Sequence, residues 1–190
     1  DTLFATKATF FYPDQASGTL PVNAHNFDAE AVVYKNDSLH IFSKNWQNLW
    51  TKHYVLPSSW QDTIAAQLVD SFEVDGLITD AAYDQNTEEL YLLGYKQLSS
   101  GLYNSFMWKF WNAPVGFFEG TRMRIELGSA LSLGQTEGLC LTGPNTGFIS
   151  SEQISSVITI PAKLHSWSVE DIMAVDIDAF APGFYFADKT

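Results

Sequence analysis

The hydrophobic positions along this chain fall into short runs, each bounded by turn-forming residues. Ala31-Val32-Val33-Tyr34 leads through Lys35-Asn36-Asp37-Ser38 into Leu39-His40-Ile41-Phe42, which predicts strand, tight turn, strand. Asp84-Gln85-Asn86-Thr87 introduces Leu90-Tyr91-Leu92-Leu93 in the same way, and Gly143-Pro144-Asn145-Thr146-Gly147 separates Leu139-Cys140-Leu141 from Phe148-Ile149-Ser150. Apolar residues do not recur at helical spacing over any long window. Ser59 to Val69 is the best helix candidate, but β-branched Thr63 and Ile64 reduce it to a short turn or a loop.

The three hairpins repeat one pattern. Asp28-Ala29-Glu30-Ala31-Val32, Ile78-Thr79-Asp80-Ala81-Ala82 and Gln135-Thr136-Glu137-Gly138-Leu139 stack with an acid, then a small residue, then an apolar strand. The acid recurs after 50 residues, from Glu30 to Asp80, and after 57, from Asp80 to Glu137. A period of this size with several strands per unit predicts an all-β, propeller-like repeat of four-stranded antiparallel blades. Further strands are expected at Trp50 to Leu56, near Val74, at Phe106 to Trp111, at Arg122 to Leu127 and at Lys163 to Ser168. Ala8-Thr9-Phe10-Phe11-Tyr12 reads as the outer strand of an earlier blade. About three blades are therefore present. Closed propellers need roughly four to eight, so the chain reads as an incomplete propeller or one whose open edges a partner covers.

Several of these segments together resemble a family of extracellular propeller-like proteins of bacteria that use a type IX secretion system. They are Phe11-Tyr12-Pro13-Asp14-Gln15, His25-Asn26-Phe27-Asp28-Ala29-Glu30-Ala31, Asp37 to Trp46, Gly76 to Asp80, Leu92 to Tyr95, Gln135 to Gly138, Ile149 to Glu152 and Ala162 to Ser166. The likeness runs from Phe10 to Met173 and implies fold and export more than any activity. Val175-Asp176-Ile177-Asp178-Ala179-Phe180-Ala181-Pro182-Gly183-Phe184-Tyr185-Phe186 resembles a late part of the type A sorting domain that this system reads. Residues 1–173 are accordingly expected to form the blades, and 174–190 either a remnant of a C-terminal sorting domain or a final propeller strand with Pro182-Gly183 as an ordinary turn. The resemblance implies an extracellular or outer-membrane-surface protein that engages the type IX secretion machinery.

Charge narrows the partners. The 190 residues hold 10 Lys and Arg against 22 Asp and Glu, a formal charge of -12. That balance argues against nucleic acid, which needs a basic face, and against an anionic membrane surface. The apolar runs are too short for a membrane span. A single cysteine excludes an internal disulfide framework.

The candidate chemistry centres on the repeated acid. Glu30, Asp80 and Glu137 are expected at one mouth of a central channel, each followed by a small residue that allows close backbone approach. Such carboxylates would accept N–H groups from a neighbouring blade, or form a ring that holds a hard cation such as calcium. His25 and Asp28 lie just before the first inner strand as possible ligand contacts. Trp46 and Trp60, flanked by polar residues, are the best exposed aromatics for stacking on a sugar. Asp37-Ser38-Leu39 and Asp62-Thr63-Ile64 resemble the O-glycosylation pattern of these bacteria, which marks Ser38 and Thr63. No G-x-S-x-G, S-x-x-K or H-E-x-x-H occurs, and the four histidines are scattered. The leading expectation is a surface binding or assembly module with protein or glycan ligands. The alternatives are a cation-dependent propeller hydrolase of the lactonase or phytase-like type, and a structural subunit completed by another chain.

Overall fold

The computed structural model describes residues 7–16, 18, 20–98, 102–155 and 159–169, and these are almost entirely strand and turn. The order is β1 (Phe10–Phe11), β2 (Asp28–Lys35), β3 (Ser38–Lys44), β4 (Thr51–Pro57), β5 (Ile64–Ala65), β6 (Gln67–Phe72), β7 (Leu77–Asp84), β8 (Glu89–Gln97), β9 (Tyr103–Trp111), β10 (Thr121–Ser129), a helical turn α1 (Ala130–Leu133), β11 (Gln135–Gly143), β12 (Thr146–Glu152), β13 (Ile154–Ser155), β14 (Thr159–Ile160) and β15 (Lys163–Ser168). The proposed sorting-domain remnant lies outside the described residues. No described helix is long and apolar enough to cross a membrane.

Three antiparallel sheets carry the fold. The first is β2-β3-β4-β6, the second β7-β8-β9-β10 and the third β11-β12-β15. Each opens with a hairpin whose turn is set by polar residues. Asn36 and Asp37 have φ of 49° and 55°, the paired left-handed conformation of a type I′ turn, which Asn and Asp tolerate. In the second hairpin the Asp84 carboxylate accepts the Asn86 N–H at 2.8 Å and bends the chain back. Residues 67–72 are strand β6, so the short helix or loop expected over Ser59 to Val69 is replaced at its end by the fourth strand of the first sheet. Leu68 lies opposite Tyr54 of β4 and Asp70 opposite His53, with Val69 as the extra residue between them, and pairing decides the conformation. β1 pairs in parallel with β5, and Phe10 and Tyr12 pack on Ile41, Tyr54 and Leu56 on the outer face of the first sheet.

Every first strand carries a β-bulge near its start. The register shifts between Ala29 and Ala31, between Ile78 and Asp80, and between Thr136 and Gly138. The bulges align the units with one another. Ala31, opposite Phe42, corresponds to Asp80, opposite Leu93, and to Gly138, opposite Ser150. The residue inside the bulge is Glu30 in the first sheet, Thr79 in the second and Glu137 in the third. Stacking the units by their acids is thus one residue out in the second unit: Asp80 stands where Ala31 and Gly138 stand.

The sheets pack face to face. Ala31, Val33 and Phe42 meet Ile78, Leu90, Leu92 and Phe110 between the first and second sheets. Tyr91, Leu93, Met107 and Ile125 meet Leu139, Ile149 and Trp167 between the second and third. First strands lie closest: β2 packs on β7 and β7 on β11. The close approach demands small residues at the bulge. A Cβ at Gly94 would lie 2.6 Å from the Leu77 carbonyl and 2.7 Å from the Phe106 ring, and Ser43 and Ser151 occupy the matching places opposite Ala29 and Thr136.

Candidate functional site

The bulges bring Glu30 and Glu137 to the same end of the sheets. Lys44, at the end of β3, lies 3.7 Å from Glu30 with its side chain only 6% exposed. Its ammonium sits over the rings of Trp46, at 5.3 Å, and Tyr95, at 5.2 Å. Glu137 accepts a hydrogen bond from Gln135 Nε2 at 2.5 Å. Burial raises the Glu30 carboxyl above its ordinary range; Lys44 opposes that and Asp28 reinforces it. Burial raises Glu137 too, against the Gln135 hydrogen bond and the Lys44 charge. The Tyr95 hydroxyl is raised by burial and by the nearby Glu137 carboxylate.

Asp80 does something else. Its two oxygens accept the N–H of Ala81 at 2.8 Å and of Leu139 at 2.6 Å, so it ties β7 to β11. Burial raises its carboxyl, and those two N–H groups pull it back. Thr79, in the bulge that Glu30 and Glu137 fill elsewhere, donates its hydroxyl to the Thr136 carbonyl at 3.0 Å. Asp80 thus stands apart from Glu30 and Glu137, which share their end of the sheets with Asp28 and the Lys44 ammonium. This donor set does not suit calcium, which needs several converging oxygens and no cation among them. Among the described residues no three His, Cys, Asp or Glu side chains converge as a metal would require.

The other predicted residues are placed as follows. His25 Nδ1 accepts the Phe27 N–H at 3.1 Å, and the His25 carbonyl accepts the Trp46 N–H at 3.1 Å. Asp28 accepts the Trp46 indole N–H at 3.2 Å. The Trp60 indole N–H is donated to the Thr9 carbonyl at 2.8 Å, and its ring packs beside the Tyr12 cluster. Both tryptophans are half-buried. Ser38 begins β3 and donates to the Asn36 carbonyl at 3.3 Å. Thr63 is exposed, 2.6 Å from the Thr9 hydroxyl.

A second cluster had no motif to announce it. His40 Nδ1 lies 2.8 Å from His53 Nε2, and His53 Nδ1 lies 2.9 Å from Asp70 Oδ1. The three sit on adjacent strands β3, β4 and β6, with His53 only 3% exposed. Burial, then the neighbouring His53, depresses His40 from 6.5 to about 4. Phe117 and Phe118, from the connection between β9 and β10, close over the His53 ring at 5.3 and 6.1 Å. The signal that could have found the cluster is the repeat itself. His40 opposes Val33 and corresponds in register to Tyr91 of the second sheet, and His53, opposite Phe42, corresponds to Met107, opposite Leu93. Polar residues thus occupy repeat positions that are apolar core elsewhere.

No protein-family model, curated protein or solved structure matches this chain.

Proposed function

We propose that this chain is a propeller-like, non-enzymatic binding or assembly module, displayed outside the cell after type IX export, whose partner is a protein. The observation that carries the reading is the outer face of the third sheet. There Phe148 is 39% exposed and Leu164 67%, while Tyr91 and Met107, at the corresponding places on the second sheet, are fully buried. Cys140, Phe148, Ser150 and Leu164 line a cleft of about 270 Å³ on that face. The far side of the first sheet repeats the theme: Val32 is 53% exposed, against 7% for the matching Ala81. Among the described residues no sheet covers the outer face of the third sheet, and on the first sheet Phe10 and Tyr12 cover Ile41 and Tyr54 but leave Val32 open; another β-sheet laid face-on is the occupant that such apolar faces suit. Trp46 and Trp60 have their indole N–H groups committed within the protein, which favours a protein partner over a glycan. Export rests on the sequence resemblance.

Sedimentation of the purified chain tests the binding face. A second copy supplies the nearest substitute sheet, so concentration-dependent association is expected, and Phe148→Ser with Leu164→Asp abolishes it. A parent chain that stays monomeric at every concentration, or a double variant that associates equally well, overturns the reading. Loss of the protein from the cell surface in a host without the type IX translocon tests export.

A further inference from the structure

We infer that the cleft above His40 and His53 is a binding site for a small organic monoanion with an apolar body, and that occupation draws one proton onto the histidine pair. The site is independent of the outer face of the third sheet and does not rest on that reading.

Between the second and third sheets, Tyr91, Met107 and Ile125 are buried in an apolar cluster, with the Tyr91 hydroxyl alone bonded, to Glu89 and Asn145. His40, His53 and Asp70 take the same register positions on the first sheet. A buried polar chain in place of apolar packing stabilises little or costs stability, so packing alone does not account for it.

A cleft of about 310 Å³ is lined by His40, His53, Lys35, Asn36 and Ser38 together with the apolar Val55, Val69 and Val115. It is large enough for a short-chain acid and offers a cation and polar groups beside apolar side chains.

The Lys35 ammonium lies 5.0 Å from the Tyr83 ring centre and 4.8 Å from that of Phe117. It makes no ion pair among the described residues, in a protein of net charge -12. His40 also lies against Phe117, edge to face, with ring centres 5.2 Å apart. A carboxylate entering the cleft would meet the ammonium, and the Asn36 side-chain amide supplies a neutral donor beside it.

The proton follows from the series of hydrogen bonds. Asp70 accepts from His53 Nδ1, which leaves His53 Nε2 facing His40 Nδ1 with one proton between them. Lys35, Asp70 and His53 are the charged or titratable groups that bear on His40. With both rings neutral, the Lys35 and Asp70 charges cancel and an added anion makes the cluster net negative. One further proton on the pair restores neutrality, the Asp70 carboxylate stabilises it, and solvent supplies it. The atoms balance as anion plus proton taken up, with no covalent bond made or broken.

Hexanoate is the probe, and hexanol its uncharged counterpart. Calorimetric titration in two buffers of different ionisation heat should give hexanoate binding with net uptake of about one proton, tightening as pH falls from about 8 to about 6. Hexanol and the Lys35→Met variant should each bind about tenfold more weakly or worse. His53→Met, which installs the second sheet's residue, should retain hexanoate binding but lose proton uptake. Lys35→Met lies at a strand end and keeps the proposal testable if His53→Met does not fold. Equal binding of hexanol, unchanged binding by Lys35→Met, no binding of hexanoate, or binding without proton uptake each overturns the inference.

Discussion

The first and second sheets share strand order, hairpin register and bulge position, yet one face of each is built from opposite chemistry. On the second sheet Tyr91, Met107 and Ile125 meet the third sheet across a largely apolar seam, beside the buried Lys109–Glu89 pair. On the first sheet the same positions hold His40, His53 and Asp70, joined in series and roofed by Phe117 and Phe118. A repeat backbone therefore does not dictate which faces are dry. What differs is the connection that follows β9, which covers the first sheet's face with two aromatic rings and leaves a cleft beside them.

Exchanging the two chemistries is the strongest way to break that comparison. Met107→His with Ile125→Asp would place an imidazole and a carboxyl in the apolar seam, away from the aromatic roof. We expect a loss of about 4 kcal/mol in urea unfolding, or no folded protein. Truncating the polar chain comes next: Asp70→Ala strands the buried His53 N–H and should cost about 2 kcal/mol by the same measurement. The reverse exchange, His40→Tyr with His53→Met and Asp70→Ile, should be neutral or raise stability by about 1 kcal/mol. A loss as large as that of Asp70→Ala would show that the polar chain holds the first sheet together.

The pH dependence sharpens the same contrast. His40 titrates near 6.5 when unfolded and at about 4 when folded. Between those values the unfolded chain holds more protons, so the stability present above pH 6.5 is lost as pH falls toward 4. His40 is partly solvated, and screening leaves about 1 kcal/mol of difference between parent and triple variant across that window. Glu30, Asp80 and Glu137, all raised, act in the opposite sense, losing stability as pH rises through the ordinary carboxylate range. They are common to both proteins and cancel in the comparison. The smallest effect belongs to the third sheet. Leu164→Ala should change stability by less than about 0.5 kcal/mol, whereas Met107→Ala at the matching place costs about 3.

How much of this was legible in the sequence depended on whether the signal was local. Asn36-Asp37 and Asp84-Asn86 announce their turns through backbone preferences of single residues, so the hairpins and the repeat could be read directly. The bulge could not. An extra residue in one strand is defined only by its partner, and the acid of Asp80 drew the second unit one place out of line. The histidine chain escaped for a related reason: His40 and His53 stand 13 residues apart and His53 and Asp70 17, on strands whose register fixes the contact. Trp46 and Trp60 stand out for their polar neighbours in sequence; the bonds of their indole N–H groups to Asp28 and to the Thr9 carbonyl depend on residues 18 and 51 positions away and could not be read from those neighbours.

The bulge at the start of each first strand has an evolutionary corollary. Inserting a single residue into a pleated strand inverts the side on which all earlier side chains emerge. Glu30, Thr79 and Glu137 stand at that inversion point, ahead of the stretch that builds the interior. Selection can therefore rewrite the rim of the first and third units without disturbing the packing behind it. Natural diversity in a lineage of such proteins should gather at Glu30 and Glu137, while Thr79, buried and bonded to the Thr136 carbonyl, and the residues just downstream stay constrained.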